Sequence, residues 1–249
     1  SAPDSLDRLH VQIEAARLAL ADVEALVTDP AFAAVPLARL LSVEHARELG
    51  NRIARGRPAG TLRAAGTSEN TSYIAVVDRA GNVASLMGSL RNPFGSGLVA
   101  GDTGILLHNR GKDFSLDPAS VNRLEPGKRT RTTLNPVILL AKDRPRLVLG
   151  SVGGIQQTQA VQQVLVRHLV DGLAIQEAVE APRWAVAEDG TLQLEAGLAP
   201  SAGGLTERGH RVVIGKGQFG ACNAIRIDPE TGTLHGVADP RVVGAALGY

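Results

Sequence analysis

The run Asn70-Thr-Ser-Tyr-Ile-Ala-Val-Val-Asp78, followed by Arg79-Ala-Gly-Asn82 and then by Val83-Ala-Ser-Leu-Met-Gly-Ser89, decides the fold of this 249-residue chain. Two β-prone runs flank four turn-forming residues, the pattern of a β-hairpin with one buried face. Residues 54 to 70, directly upstream, hold three glycines and a proline without apolar periodicity. They read as an exposed connector, a segment suited to cleavage. A buried strand that opens on Thr71, straight after such a connector, is the feature from which the rest is worked out.

Upstream, Leu6, Leu9, Ile13, Ala16, Leu20, Val23 and Val27 recur at three- and four-residue spacing and predict an amphipathic helix over 6–27. Asp29-Pro30 stops it, residues 36–41 form a short link, and Ser42 caps a second helix running to about Ile53. Downstream, short strands are expected at 104–108, 136–141 and 146–149. Gly150-Ser-Val-Gly-Gly154 then feeds a helix over 159–170 with a stripe of Ala160, Val161, Val164, Leu165, His168 and Leu169. A helix at 174–180 ends before Pro182, and the tail alternates strands (192–195, 212–214, 221–227, 234–238) with a helix at 201–208. This order predicts an α+β fold of β layers with helices outside.

Composition narrows function by exclusion. A formal net charge of +1 gives no long-range field to attract nucleic acid or an anionic membrane. No apolar run approaches the roughly 18 residues of a membrane helix, so a soluble protein is expected, its compartment, cytoplasmic or periplasmic, left open. The single cysteine, Cys222, cannot form an intrachain disulfide and reads as a buried, inert thiol. Six histidines without ligand spacing imply no metal, and the glycine-rich stretches lack nucleotide-binding patterns. No cofactor is implied. Arg123, Lys128, Arg129 and Arg131, interrupted by Glu125 and without interleaved aromatics, read as a solvated loop rather than a nucleic-acid surface.

A threonine hydroxyl becomes a nucleophile when a base takes its proton, and the α-amine of the same residue serves once that residue is a chain N-terminus. Such an amine has an ordinary pKa of about 7.7 to 8 and is partly neutral at working pH. Thr71 has the required position, although a threonine opening a strand is also an ordinary β-former.

The hairpin stretch, Phe94-Gly-Ser-Gly97, Gly104-Ile-Leu-Leu-His-Asn-Arg-Gly-Lys-Asp-Phe-Ser115, Pro126-Gly-Lys-Arg129 and Gly150-Ser-Val-Gly-Gly154 resemble, in order, the blocks of the gamma-glutamyltranspeptidase small subunit. Residues 10–41 are similar to the end of that family's large subunit. The resemblance implies an N-terminal-nucleophile hydrolase with a four-layer αββα sandwich, autoproteolysis between Asn70 and Thr71, residues 1–70 as the end of the large subunit, and 71–249 as the small catalytic subunit. The rest of the large subunit would precede residue 1 as a partner. The implied reaction hydrolyses or transfers the acyl group of a small-molecule amide, a gamma-glutamyl compound such as glutathione, to water or an amino acid.

Residue by residue, the resemblance makes Thr71 the nucleophile and Ser89 the hydroxyl that supports it. Gly153 and Gly154 supply oxyanion-hole amides, for which a glycine turn before a helix is physically suited. Asp113 matches the aspartate that takes the substrate's α-amino group, and Thr132 and Thr133 match a hydroxyl pair for the α-carboxylate. Two positions depart from the glutathione-processing pattern. Arg91 stands where asparagine is usual, and Arg110 where an uncharged polar residue is usual; the Asn109-Arg110-Gly111 version resembles a subgroup that includes oxamate amidohydrolase. A guanidinium fork suits a carboxylate, so either arginine is a candidate for binding an acidic acyl group. The rival readings are an oxamate- or glutaryl-type amidohydrolase, and an unprocessed, inactive scaffold.

Overall fold

A computed structural model describes residues 3–53, 70–215 and 217–249. The expected connector at 54–69 lies outside the described residues. The elements in chain order are α1 (Leu6–Leu26), α2 (Leu37–Leu40), α3 (Val43–Arg52), β1 (Asn70–Val77), β2 (Val83–Arg91), a 3-10 turn (Arg110–Asp113), β3 (Val137–Ala141) and β4 (Arg144–Val152). There follow α4 (Gln156–Leu169), α5 (Ile175–Glu180), β5 (Trp184–Val186), β6 (Leu192–Leu194), a second 3-10 turn (Ala196–Ser201), α6 (Ala202–Glu207), β7 (Val212–Ile214), β8 (Ala221–Ile227) and β9 (Leu234–Val237). The chain divides into two compact units: Ser1–Thr67 with Asn109–Thr132 and Val186–Lys216, and Ser68–His108 with Thr133–Ala185 and Gly217–Tyr249.

The second unit is layered. β1 and β2 pair antiparallel around the expected turn, and β3-β4-β8-β9 form a four-stranded sheet. Successive side chains of β4 face opposite ways. Leu147 and Leu149 join Ala160, Val161 and Val164 of α4, Ile175, Ala178 and Val179 of α5, and Cys222 and Ala224 of β8 in one buried apolar cluster. On the other face, the Tyr73 ring of β1 lies so close to Gly150 that a Cβ there would stand 2.3 Å from it. Hairpin, sheet and helices thus form three successive layers of an α+β fold. Each fully buried leucine or valine contributes about 1.5–3 kcal/mol, and this cluster is the principal apolar core of the unit.

The first unit is held together differently. α1 buries Leu9, His10, Ile13, Glu14, Arg17 and Leu18, so its inward stripe is rotated from the apolar one expected, and Val23 is exposed. Half of that stripe is polar, and its members find one another. His10 Nδ1 lies 2.8 Å from His210 Nε2, Arg17 Nε 3.3 Å from Glu14 Oε1, and Arg17 Nη2 donates to the Gly190 carbonyl at 2.8 Å. Burial, then the positive charge of Arg17, pushes the His210 pKa down to about 4. Asp29 is also buried, and takes both a two-pronged contact from the Arg129 guanidinium and that residue's N–H. Its carboxyl is held well below the usual range by those hydrogen bonds. The cations expected in a solvated loop are therefore paired: Lys128 and Arg123 with Glu125, Arg131 with Glu24.

Boundaries elsewhere follow expectation closely, with two corrections. α1 ends at Leu26, before Asp29-Pro30. Residues 104–108 are not a strand; Leu106 makes an isolated bridge to Val99, because Gly95, Gly97, Gly101 and Gly104 all take positive φ and bend the segment. β5 was not expected, since three wholly buried residues show no alternation. Ser42 caps α3 as predicted, its hydroxyl accepting the His45 N–H at 3.0 Å.

Candidate active site

The hairpin turn sets the register that joins the first two candidate residues. Thr71 pairs directly with Ser89, and the Thr71 hydroxyl donates to Ser89 Oγ at 3.1 Å. One residue earlier the register slips, because Asn70 pairs with Arg91 and leaves Leu90 as the extra residue of a bulge. Arg91 takes up the irregularity with φ +76 while its N–H donates to Ser89 Oγ at 3.1 Å. A buried non-glycine residue in the left-handed region costs about 1–3 kcal/mol and marks a constrained site. The strain lies opposite the 70–71 peptide bond. Arg91 is thus a buried participant in the hairpin end.

The glycine turn is the second part. β4 ends at Val152, Gly153 and Gly154 take φ +112 and +57, and α4 begins at Gln156. The two glycine carbonyls accept the N–H groups of Gln156 and Gln157, so the turn is welded to the positive end of a 14-residue helix. With its amide oriented to satisfy both neighbours, buried Gln157 accepts from the Gly154 N–H at 3.2 Å and donates to the Thr133 carbonyl at 2.9 Å. The Gly154 N–H must leave that long contact to serve an oxyanion. Gln157 also ties the threonine segment to the turn, a link that no sequence motif announced.

Behind the turn stands Gly220. A Cβ on Gly153 would lie 3.1 Å from the Gly220 Cα, and a Cβ on Gly220 would strike Ser151 Oγ and Ala160 Cβ at 2.7 and 2.8 Å. The Gly220 carbonyl accepts from Arg183 at 2.9 Å. Arg183 in turn pairs with Asp239 at 2.8 Å, both side chains wholly buried, and Asp239 also accepts the Cys222 N–H. A buried charge pair thus fixes the backbone against which Gly153 rests. Cys222 is the buried thiol expected, its pKa raised by burial.

Contacts within the second unit carry Thr71 toward this turn. Ser85, opposite Ala75 in the hairpin, reaches the Val137 carbonyl, and Val137 pairs with Leu149. Tyr73, two residues nearer Thr71, reaches Gly150. Successive steps along β1 therefore advance along β4 in the direction of Gly153.

Arg110, Asp113 and Thr132 belong to the first unit. Arg110 is buried at the start of its 3-10 turn, with Nη1 3.5 Å from Asp113 Oδ2. The two residues singled out separately in the sequence are thus neighbours. Asn122, which the sequence did not flag, pins the segment by donating to the Asp113 carbonyl at 2.7 Å. Thr132 is exposed. Among the described residues no cluster of metal-ligating side chains occurs, and no helix is long and apolar enough to cross a membrane.

Comparison with known proteins identifies the family. The family described as Gamma-glutamyltranspeptidase matches residues 1–249. The chain is 40% identical to the glutathione hydrolase-like YwrD proenzyme of Bacillus subtilis, over 98% of this chain and 48% of that protein. It is 36% identical to the oxamate amidohydrolase proenzyme of Klebsiella pneumoniae, over 99% of this chain and 48% of the relative. It superposes on cephalosporin acylase from Bacillus halodurans with a TM-score of 0.84 at 36% identity, covering 99% of this chain and 46% of that one. The chain therefore spans about half the length of the relatives it matches. From the ordered blocks of sequence, the layered strands and these matches together, the chain belongs to the gamma-glutamyltranspeptidase family and has the α+β fold of the N-terminal-nucleophile hydrolases.

Proposed function

We propose that the chain is the catalytic half of an amide hydrolase or acyl transferase in which Thr71 both cuts the precursor and attacks substrate. The observation that carries this is the Thr71–Ser89 hydroxyl pair at a bulged, strained hairpin end. Attack of Thr71 Oγ on the Asn70 carbonyl carbon, with transfer of the peptide bond to an ester and hydrolysis of that ester, frees the Thr71 amine and separates 1–70 from 71–249. The freed amine then takes the hydroxyl proton as Oγ attacks a substrate amide. The Gly153 and Gly154 N–H groups stabilise the oxyanion, the amine returns the proton to the leaving nitrogen, and water or an amino acid removes the acyl group.

The acyl group of this reading is gamma-glutamyl, with Asp113 taking its α-amino group and Thr132 and Thr133 its α-carboxylate, as the family resemblance implies. The relatives' names, a glutathione hydrolase-like proenzyme and an oxamate amidohydrolase proenzyme, support amide chemistry after cleavage. They also keep a second reading alive, an amidohydrolase for another small carboxylate-bearing amide. Arg110 favours this alternative less than its sequence position suggested, because its charge is directed at Asp113. Amine release from gamma-glutamyl, glutaryl and oxamate amides tests the proposal. The gamma-glutamyl amide should turn over fastest, and Thr71→Ala should lower turnover by about 10⁴-fold or more. Undiminished turnover by Thr71→Ala would remove the nucleophile from the account.

A further inference from the structure

Five non-glycine residues among those described take positive φ, and four of them, Asp4, Phe94, Lys142 and Asp143, are exposed residues of turns. The fifth is Arg91, which is buried and closes β2. A turn uses the left-handed conformation to reverse the chain; a buried strand end has no such need, and a non-glycine residue held there marks a constrained site. Two observations say what the constraint does. It brings the Arg91 N–H onto Ser89 Oγ at 3.1 Å, the local bond by which a serine hydroxyl captures the backbone two residues on. The same Oγ accepts the Thr71 hydroxyl at 3.1 Å, so Arg91 fixes the atom on which Thr71 rests. The residue also absorbs the slip in register, which falls between Asn70 and Thr71. A bulge interrupts the ladder at the residue it adds, and the alternating burial of β2 holds from Val83 to Ser89 and fails at Leu90. Regular pairing therefore ends at Thr71 and Ser89, with the 70–71 bond on the irregular side.

We propose that Arg91 is a positioning residue for the cut between Asn70 and Thr71, acting through its left-handed backbone and its N–H on Ser89 rather than through its guanidinium. This rests on the Thr71 reading above and deepens it. In that cut the bond from Thr71 Oγ to the Asn70 carbonyl carbon forms, the 70–71 C–N bond breaks, and the hydroxyl proton ends on the freed amine. Water then hydrolyses the ester to the Asn70 carboxyl group and the free Thr71 hydroxyl. For Oγ to reach the carbonyl of its own preceding residue, the hydroxyl must be held while the 70–71 peptide is released from regular pairing. The bulge at Arg91 does both. Residues that favour positive φ at this position therefore support the cut, whatever their charge.

The rate at which fragments 1–70 and 71–249 appear, followed by intact mass after synthesis of the full chain, tests the assignment. Arg91→Gly and Arg91→Ala both delete the guanidinium and differ by one methyl group, so their ratio reads backbone preference alone. Arg91→Gly should be cut faster than Arg91→Ala by about 5- to 30-fold. Arg91→Asn and Arg91→Gln are a second pair, two amides of which asparagine tolerates positive φ better. They should differ in the same direction, and they serve if the alanine variant does not fold. Each rate is taken well below the melting temperature of the matching uncleavable Thr71→Ala form, where a loss of stability alone leaves it unchanged. Equal rates within either folded pair overturn the assignment. A wild-type chain that is never cut at 70–71 overturns the Thr71 reading and this one with it. A wild-type cut that vanishes in Thr71→Ala, with the paired variants cut equally, overturns the role of Arg91 alone.

Discussion

The two units balance apolar packing and buried charge differently, the second keeping the wholly buried Arg183–Asp239 pair beside its apolar cluster. The second closes over Leu147, Leu149, Val164, Val179 and Cys222, an apolar cluster between the four-stranded sheet and the helices α4 and α5. The first places His10, Glu14 and Arg17 on the buried face of α1 and Asp29 beneath Arg129. Apolar packing has no titration, whereas buried charge ties stability to pH. The contrast also has a place in the proposed maturation. α1 lies before Thr71 and His210 and Arg129 after it, so the charged contacts of the first unit join sequence from both sides of the expected cut.

After the nucleophile itself, the largest effect should come from the second unit's glycine turn. Gly153→Pro deletes the N–H, and loss of an oxyanion donor costs about 100- to 1,000-fold in rate. Steady-state kinetics on a gamma-glutamyl anilide should show the loss in kcat, with Leu149→Ala as a comparison that lowers stability by about 2–5 kcal/mol while sparing kcat below its melting point. Wild-type kcat in Gly153→Pro would detach the turn from the chemistry.

A smaller effect separates the units by pH. Folded His210 holds its proton less tightly than the ordinary histidine value of 6.5, so between 6.5 and about 4 the unfolded chain binds more protons. Stability of the first unit should therefore fall as pH drops through that window, by about 3 kcal/mol at most. Asp29 acts in the same direction lower down. Its folded pKa is depressed, and its contribution is lost as pH falls below the ordinary 3.8. Trp184, the single tryptophan, lies in the second unit. In acid titrations at raised temperature, loss of helical circular dichroism from α1 should begin at higher pH than the change in tryptophan fluorescence. Coincident transitions, unmoved between pH 7 and 5, would erase the distinction.

The same division governs what the sequence made legible. Ser89 and the Gly153–Gly154 pair were legible through the family resemblance, and the local pattern agrees with it: a short turn between two β-prone runs fixes the hairpin register, and a strand, two glycines and a helix stand in order. The apolar half of α4 was readable from Ala160, Val161 and Val164. Its buried glutamines were not, although Gln163 exchanges two hydrogen bonds with the Trp184 backbone, since periodicity counts apolar residues alone. The polar stripe of α1 was missed for the same reason. Gly220, Arg183 and Asp239 carry no local signal, as their meaning arises only when β8 lies beside β4. The left-handed Arg91 runs against local preference, which is where constrained sites are expected to defeat sequence reading.

N-terminal sequencing of the purified, active protein tests the central claim most directly. The account predicts a second amino terminus reading Thr-Ser-Tyr-Ile-Ala, starting at Thr71 and absent from Thr71→Ala. Full amide turnover by protein in which the 70–71 bond remains intact would contradict it.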